Sequence, residues 1–199
     1  MVPAIVLAAG ASRRMGRPKA LLPLGDRSFI RCIVDTLDAA GVTNIFVIVR
    51  PDTRDAVAAE IAFSPKARMV VNTRAEDGQL SSLVTGLDTV DAPGVEAVMV
   101  TLVDVPLVRP ATVQSLIARA RVSASPILRA VHGGRHGHPV IFKREVFEAL
   151  RAADPAVGAK AVMRAIGVED IEVDDPGILQ DVDTPEDYTS LLTRIAPNP

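Results

Sequence analysis

Between Ala9 and Lys19 the chain reads Ala9-Gly10-Ala11-Ser12-Arg13-Arg14-Met15-Gly16-Arg17-Pro18-Lys19. Small residues and glycine let backbone N–H groups come close to an anion. Arg13, Arg14, Arg17 and Lys19 add four cationic side chains to the same short loop. That density of guanidinium and ammonium groups suits a compact polyanion such as a triphosphate. Two familiar phosphate cradles do not fit. A P-loop needs Gly-Lys-Ser/Thr at its end, and here Gly16 is followed by Arg17-Pro18. The dinucleotide fingerprint needs Gly-x-Gly-x-x-Gly, which Gly10-Ala11-Ser12 does not supply. The run ending at Val49-Arg50 also brings no acidic residue for a ribose hydroxyl.

A second chemical signal is Asp104, directly after the apolar run Val98–Val103. A carboxylate at that place faces the ligand end of a sheet, and Mg²⁺ prefers one or two carboxylates plus phosphate oxygens and water. Asp104 is therefore the first candidate metal ligand. Gly78-Gln79-Leu80-Ser81-Ser82 introduces a helix that Ser81 or Ser82 can cap, with its positive end toward a ligand. Asn72 ends the strand before it.

These residues need a scaffold. Short apolar runs at Ala4–Ala8, Ile45–Val49, Arg68–Val71 and Ala97–Leu102 read as buried strands. Between them, helical spacing covers Ser28–Ala40, Thr53–Ile61, Leu80–Leu87 and Pro110–Ala120. Such alternation predicts an α/β fold: a single doubly wound, mostly parallel sheet, Rossmann-like in layout. Further on, Pro126–Val131 and His138–Phe142 flank Gly133-Gly134 as a hairpin or a crossing pair. Helices follow at Arg144–Ala152 and Ala159–Ile166, then a strand near Val168–Val173. The last helix starts with Thr184 as N-cap, Pro185 at the first position and Asp187 completing a partial capping box, and ends near Ile195. With no repeat, low-complexity tract or linker, residues 1–199 are expected to form one domain. In such a sheet ligands sit beyond the strand carboxyl ends, so the loops after Ala8, Val71 and Leu102 are where chemistry is expected.

Bulk properties exclude several classes. At 48% apolar residues the chain has the makings of a core rather than of disorder. Only 3% are aromatic and the net charge is -2, which argues against a nucleic-acid-binding surface. The lone cysteine, Cys32, allows no internal disulfide and sits in an apolar helical stretch as a small buried hydrophobe. No signal peptide or membrane-length apolar run is evident, so a soluble, cytoplasmic protein is expected.

Taken together, Leu7-Ala8-Ala9-Gly10-x-Ser12-x-Arg14-Met15-Gly16-x-x-Lys19 resembles the signature of the MobA-like nucleotidyltransferases. Asp77-Gly78-Gln79-x-Ser81-Ser82-Leu83, Asp104-x-Pro106-Leu107-Val108, Gly137-His138-Pro139-Val140-x-Phe142 and Asp181-x-Asp183-Thr184-Pro185-Glu186-Asp187 extend the resemblance over the whole chain. The subgroup it looks most like is the molybdenum cofactor cytidylyltransferases. The resemblance implies nucleotidyl transfer, with CTP or another nucleoside triphosphate bound by Leu7, Ala8, Ala9, Gly10, Ser12, Arg13 and Gly16. Gly78, Gln79 and Ser82 are expected beside the base and ribose. Arg14 is expected on phosphate, and Lys19 against the developing charge. It also implies Mg²⁺ on Asp104 and Asp183, with Asp181 as a substitute for the latter.

A molybdopterin-type acceptor is expected at the turn Arg135-His136-Gly137-His138-Pro139, with His138 and Pro139 contacting it. Two histidines there are a poor zinc site. Guanylyltransferases of this group typically read Leu-Ala-Gly-Gly where this chain has Leu7-Ala8-Ala9-Gly10, which favours CTP over GTP. Val105 departs from the Gln or Met of many relatives and is expected to face the second substrate. A recipient molybdoenzyme or its chaperone is a further implied partner. The rivals are a transferase using GTP or another phosphorylated acceptor, a cofactor carrier, and an NAD(P)-dependent oxidoreductase with Arg50 on a 2′-phosphate.

Overall fold

The computed structural model describes residues 1–195; residues 196–199, the end of the expected single domain, lie outside them. The strands are β1 (Ala4–Leu7), β2 (Pro23–Leu24), β3 (Arg27–Ser28), β4 (Ile45–Val49), β5 (Ala67–Val71), β6 (Ala97–Leu102), β7 (Ile127–His132), β8 (Arg135–Lys143) and β9 (Glu169–Glu172). The helices are α1 (Phe29–Ala39), α2 (Arg54–Ile61), α3 (Gln79–Val90), α4 (Pro110–Val122), α5 (Phe147–Arg151), α6 (Ala159–Ile166) and α7 (Pro185–Ile195). The main sheet has the order β5-β4-β1-β6-β8-β7-β9. Every neighbouring pair in it is parallel except β6–β8 and β7–β8. The mostly parallel, doubly wound sheet read from the sequence is the one that forms.

The period-2 alternation of the strands decides which face each side chain enters. On β1, Ala4 and Val6 join a core built with α1, α2 and α4. Ile5 and Leu7 join the opposite core, which contains α3, α5 and α6. β6 divides in the same way, with Ala97 and Met99 on one side and Val98 and Val100 on the other. The α3 helix lies so close to β1 that a Cβ on Gly86 would come within 2.8 Å of the Ile5 side chain. This contact aims the first turn of α3 at the end of β1.

The hairpin differs from its expected form. Gly133 and Gly134 both adopt positive φ, at 56° and 74°, and make a two-residue turn that suits the strand twist. Pairing therefore begins at once, with His132 opposite Arg135. The expected acceptor turn, Arg135 to Pro139, is instead the first half of β8. A second unforeseen element is the small β2–β3 hairpin. Leu22, Leu24, Phe29 and Cys32 pack there against Val182 and Leu191, seating α7 beside the amino end of α1. Cys32 is buried, as its apolar surroundings require.

Asp175 is the main buried polar anchor. It is 1% exposed, and its carboxylate accepts from the Arg109 N–H (2.8 Å), the Thr112 hydroxyl (2.6 Å) and the Gly177 N–H (3.0 Å). Arg109 precedes α4 and has no side-chain cap of its own, so Asp175 caps that helix from a distant part of the chain. Asp175→Ala should leave these donors without their acceptor and cost about 3 kcal/mol of stability. Urea unfolding measures it; a loss under about 0.5 kcal/mol would show that water replaces the carboxylate.

Candidate active site

Past the carboxyl ends of β1, β5 and β6 lies a cleft of about 380 Å³. That is within the usual range for a small-molecule site. Its walls come from the loop after β1 (Ala9 to Arg14 and Lys19), from Ala75, Glu76, Gly78, Gln79 and Ser82 before and in α3, and from Val103 and Asp104 after β6. Asp183, from the segment leading into α7, closes it.

Ser12 organises the glycine-rich loop. It takes the left-handed conformation (φ 47°), and its carbonyl accepts from the N–H groups of Met15 (2.9 Å) and Gly16 (3.2 Å). Its hydroxyl oxygen accepts from the backbone N–H of Lys19 at 3.1 Å. The turn thus brings Lys19 back to the mouth of β1. Arg13 lines the cleft and makes no ion pair among the described residues, so its guanidinium is available to an anion. Arg17 turns away and lies over the Tyr188 ring, 5.5 Å from its centroid.

Lys19 is the electrostatic centre. Its ammonium donates to Asp104 Oδ2 at 3.3 Å and to Asp183 Oδ1 at 2.5 Å, and its side chain is only 12% exposed. Arg14 holds the other oxygen of Asp183 at 3.0 Å. The hydrogen bond from Lys19 pushes the Asp183 carboxyl below the usual carboxylate range; partial burial opposes it, and the charges of Lys19 and Arg14 reinforce it. Asp181 behaves in the opposite way. Burial raises it first, then repulsion from Asp104 and Asp183.

Backbone bonds set this geometry. The Val182 N–H donates to the Asp104 carbonyl at 3.0 Å, tying the approach to α7 onto the end of β6. The expected capping box then fixes Asp183 in place. The Asp187 N–H donates to Thr184 Oγ1 (3.2 Å), and Asp187 Oδ2 accepts from the N–H groups of Thr184 (2.9 Å) and Asp183 (3.1 Å).

The donor set fits a divalent cation. Asp104 Oδ1 is buried with no hydrogen-bond partner among the described residues, and a cation is what satisfies such an oxygen. Among the described residues no three His, Cys, Asp or Glu converge on one point. Two carboxylates are what Mg²⁺ asks of a protein when phosphate and water complete the shell.

The structure gathers Leu7, Ala9, Gly10, Ser12, Arg13, Arg14, Lys19, Gly78, Gln79, Ser82, Asp104 and Asp183 around this one cleft. Four expected site residues fall elsewhere. Ala8 is buried in the core beneath the loop, and Gly16 is exposed on the outer turn. Pro139 lines a small apolar hollow with Thr101, Val105 and Pro106. His138 is on β8, outside the cleft wall but near enough to Asp104 to feel its charge. Burial pushes the His138 imidazole below its ordinary pKa, while the Val100 backbone and Asp104 pull it back up, and its Nδ1 is buried without a partner among the described residues.

Other expectations need correcting. Val105 is buried in the core and does not face the cleft, because the chain turns inward after Asp104. Neither Ser81 nor Ser82 caps α3; both lie inside its first turn, and Gly78 occupies the cap position. Their hydroxyl oxygens instead accept from the buried Asn72 amide at 2.9 and 3.0 Å, which pins the loop after β5 to α3. Asp181 is not a wall of the cleft but part of an outer groove beside α7. Sequence reasoning did not single out Glu76, whose Oε1 accepts from Arg50 at 2.6 Å. The available signal was its position in a loop at the ligand end of the sheet. Arg50 also binds Asp52 at 3.2 Å, so its guanidinium is already engaged.

The chain is similar in sequence and in fold to several known proteins. The chain is 31% identical over 142 residues to the bifunctional protein GlmU of Azorhizobium caulinodans, of whose length it spans 31%. It is 30% identical over 200 residues to the nicotine blue oxidoreductase of Paenarthrobacter nicotinovorans, covering 96% of each chain. A probable molybdenum cofactor guanylyltransferase of Mycobacterium avium is 27% identical over 191 residues, covering 94% of this chain and 93% of that one. Among solved structures, Rv0371c of Mycobacterium tuberculosis superposes with a TM-score of 0.83 at 29% identity, over 97% of this chain and 98% of that one. A second structure of Rv0371c, in complex with manganese, gives 0.76 at 27% identity over 98% and 99%. The family model of the MobA-like NTP transferase domain matches residues 4–171, and the chain belongs to that family.

Proposed function

We propose that this nucleotidyltransferase moves CMP from CTP to the terminal phosphate of a molybdopterin-type acceptor and releases pyrophosphate. The observation that carries the proposal is Lys19 standing between Asp104 and Asp183, next to the arginine-bearing loop. The acceptor phosphate is already ionised near neutral pH, so no general base is needed. Its oxygen attacks the α-phosphorus in line. A new phosphorus–oxygen bond forms as the bond to the β-phosphate bridge breaks, and pyrophosphate departs with the electron pair.

The protein's own contribution is positioning and charge. The backbone of Ala9 to Ser12 and the guanidinium of Arg13 hold the triphosphate. Arg14 and Lys19 oppose the charge that builds on the phosphoryl oxygens. Gly78, Gln79 and Ser82, which line the same cleft, would contact ribose and base. Asp104 and Asp183 would hold Mg²⁺, which supplies charge neutralisation on the phosphates when bound. His138, near enough to Asp104 to feel its charge, would orient the acceptor from outside the cleft wall. Pro139, buried below, supports it without touching substrate.

Support for CTP comes from Ala9, where guanylyltransferases of this group carry glycine, and Ala9 lines the cleft. GTP is the second reading, favoured by the relative named as a probable molybdenum cofactor guanylyltransferase. An oxidoreductase reading draws on the nicotine blue oxidoreductase relative. The missing Gly-x-Gly-x-x-Gly fingerprint after β1 counts against it.

One assay separates these readings. The purified protein is given Mg²⁺, molybdenum cofactor and CTP, GTP, ATP or UTP in separate reactions, and pyrophosphate is measured. Release with CTP alone is the expected outcome. Release with GTP alone corrects the base. No release with any nucleotide, together with NADPH binding, removes the transferase proposal.

A further inference from the structure

The cations that a triphosphate would draw on are the same ones that hold the candidate metal carboxylates. Lys19 reaches one oxygen of Asp104 and one of Asp183, and Arg14 takes the remaining oxygen of Asp183. Both oxygens of Asp183 are thus bound to cationic side chains. Burial limits how well water can screen the contact, since the Lys19 side chain is 12% exposed and that of Asp104 is 21% exposed. A divalent ion on the unpartnered Asp104 Oδ1 would stand close to the Lys19 ammonium, and at such range their charges repel strongly.

We propose that Lys19, assisted by Arg14, is an internal counter-ion that keeps the Asp104–Asp183 pair closed to free divalent cations until a nucleoside triphosphate draws both side chains onto its phosphates. Metal and nucleotide then bind with positive coupling that arises from an exchange of partners inside the site. The loop geometry suits such an exchange. Ser12 anchors the Lys19 backbone, so only the flexible side chain has to swing from carboxylate to phosphate. The 66% exposure of Arg14 leaves it equally free to move. The inference rests on the metal assignment above but not on the transfer reaction.

The test measures Mn²⁺ affinity by electron paramagnetic resonance on the full chain without nucleotide. Lys19→Met keeps the length of the side chain and removes its charge. It should bind Mn²⁺ at least about 10-fold more tightly than the parent. Arg14→Leu should shift affinity in the same direction by less. Adding Asp104→Asn to Lys19→Met should abolish the gain, which locates the ion at this pair. Equal or weaker Mn²⁺ binding by folded Lys19→Met overturns the inference, as does a gain that survives Asp104→Asn. If Lys19→Met does not fold, Arg14→Leu decides, and unchanged affinity there overturns it. The parent protein's pyrophosphate assay is read separately. Absence of transfer sinks the proposed function and leaves the Mn²⁺ comparison valid, whereas transfer without the Mn²⁺ gain sinks this inference alone.

Discussion

Asp104→Asn is expected to lower kcat for nucleotidyl transfer by about 10³-fold or more, with little change in thermal stability. Asparagine keeps the shape of the side chain, and the backbone carbonyl of residue 104 still accepts from Val182. What disappears is a full negative charge at the end of β6, and one of the two carboxylate oxygens becomes an amide nitrogen that cannot ligate a cation. Without that charge the phosphates lose their link to the strand, and the α-phosphorus is no longer held in line. Pyrophosphate release under single-turnover conditions gives the rate, and a melting curve controls for folding. A rate within about 10-fold of the parent would remove Asp104 from the metal site.

Lys19→Met is expected to be nearly as severe, at about 10²- to 10³-fold in kcat. The loss should fall more on kcat than on KM. Charge on the phosphoryl oxygens and the departing pyrophosphate grows toward the transition state, so an ammonium group there contributes most at that point. Lys19→Arg should restore only part of the rate, because a planar fork cannot occupy the position of a point charge between two carboxylates. A Lys19→Met enzyme with unchanged kcat and a raised KM would reduce Lys19 to a binding residue. The same variant carries opposite expectations for two observables, slower transfer and tighter Mn²⁺ binding. No general loss of structure produces both.

The wall between α3 and the β1 loop illustrates how local pattern and tertiary packing divide the work. Apolar runs alone locate β1, β4, β5 and β6 within a residue or so; β1, β4 and β6 are covered on both faces and so are largely apolar, whereas β5, at the sheet edge, is only partly buried. The glycine-rich loop, its arginines, Asp104 and the capping box of α7 are equally legible, since each depends on residues close in sequence. The hairpin of β7 and β8 was only half legible. Two glycines announce a turn, but whether pairing begins immediately depends on the partner strand.

By itself, then, the sequence determined the layered α/β scheme, the phosphate-seeking loop and the carboxylate after β6. Tertiary structure alone decided which distant groups meet. Asp183 reaches Lys19 across 164 positions, carried there by packing of α7 on α1 and by the Val182–Asp104 backbone bond. Between Asp181 and Asp183, two positions apart, the fold turns one toward the cleft and leaves the other in the outer groove. The inward turn of Val105, the removal of Arg17 to Tyr188 and the pairing of Arg50 with Glu76 are likewise tertiary. Each depends on a partner far along the chain, and no periodicity or local propensity encodes a contact between segments that meet only when the sheet has formed.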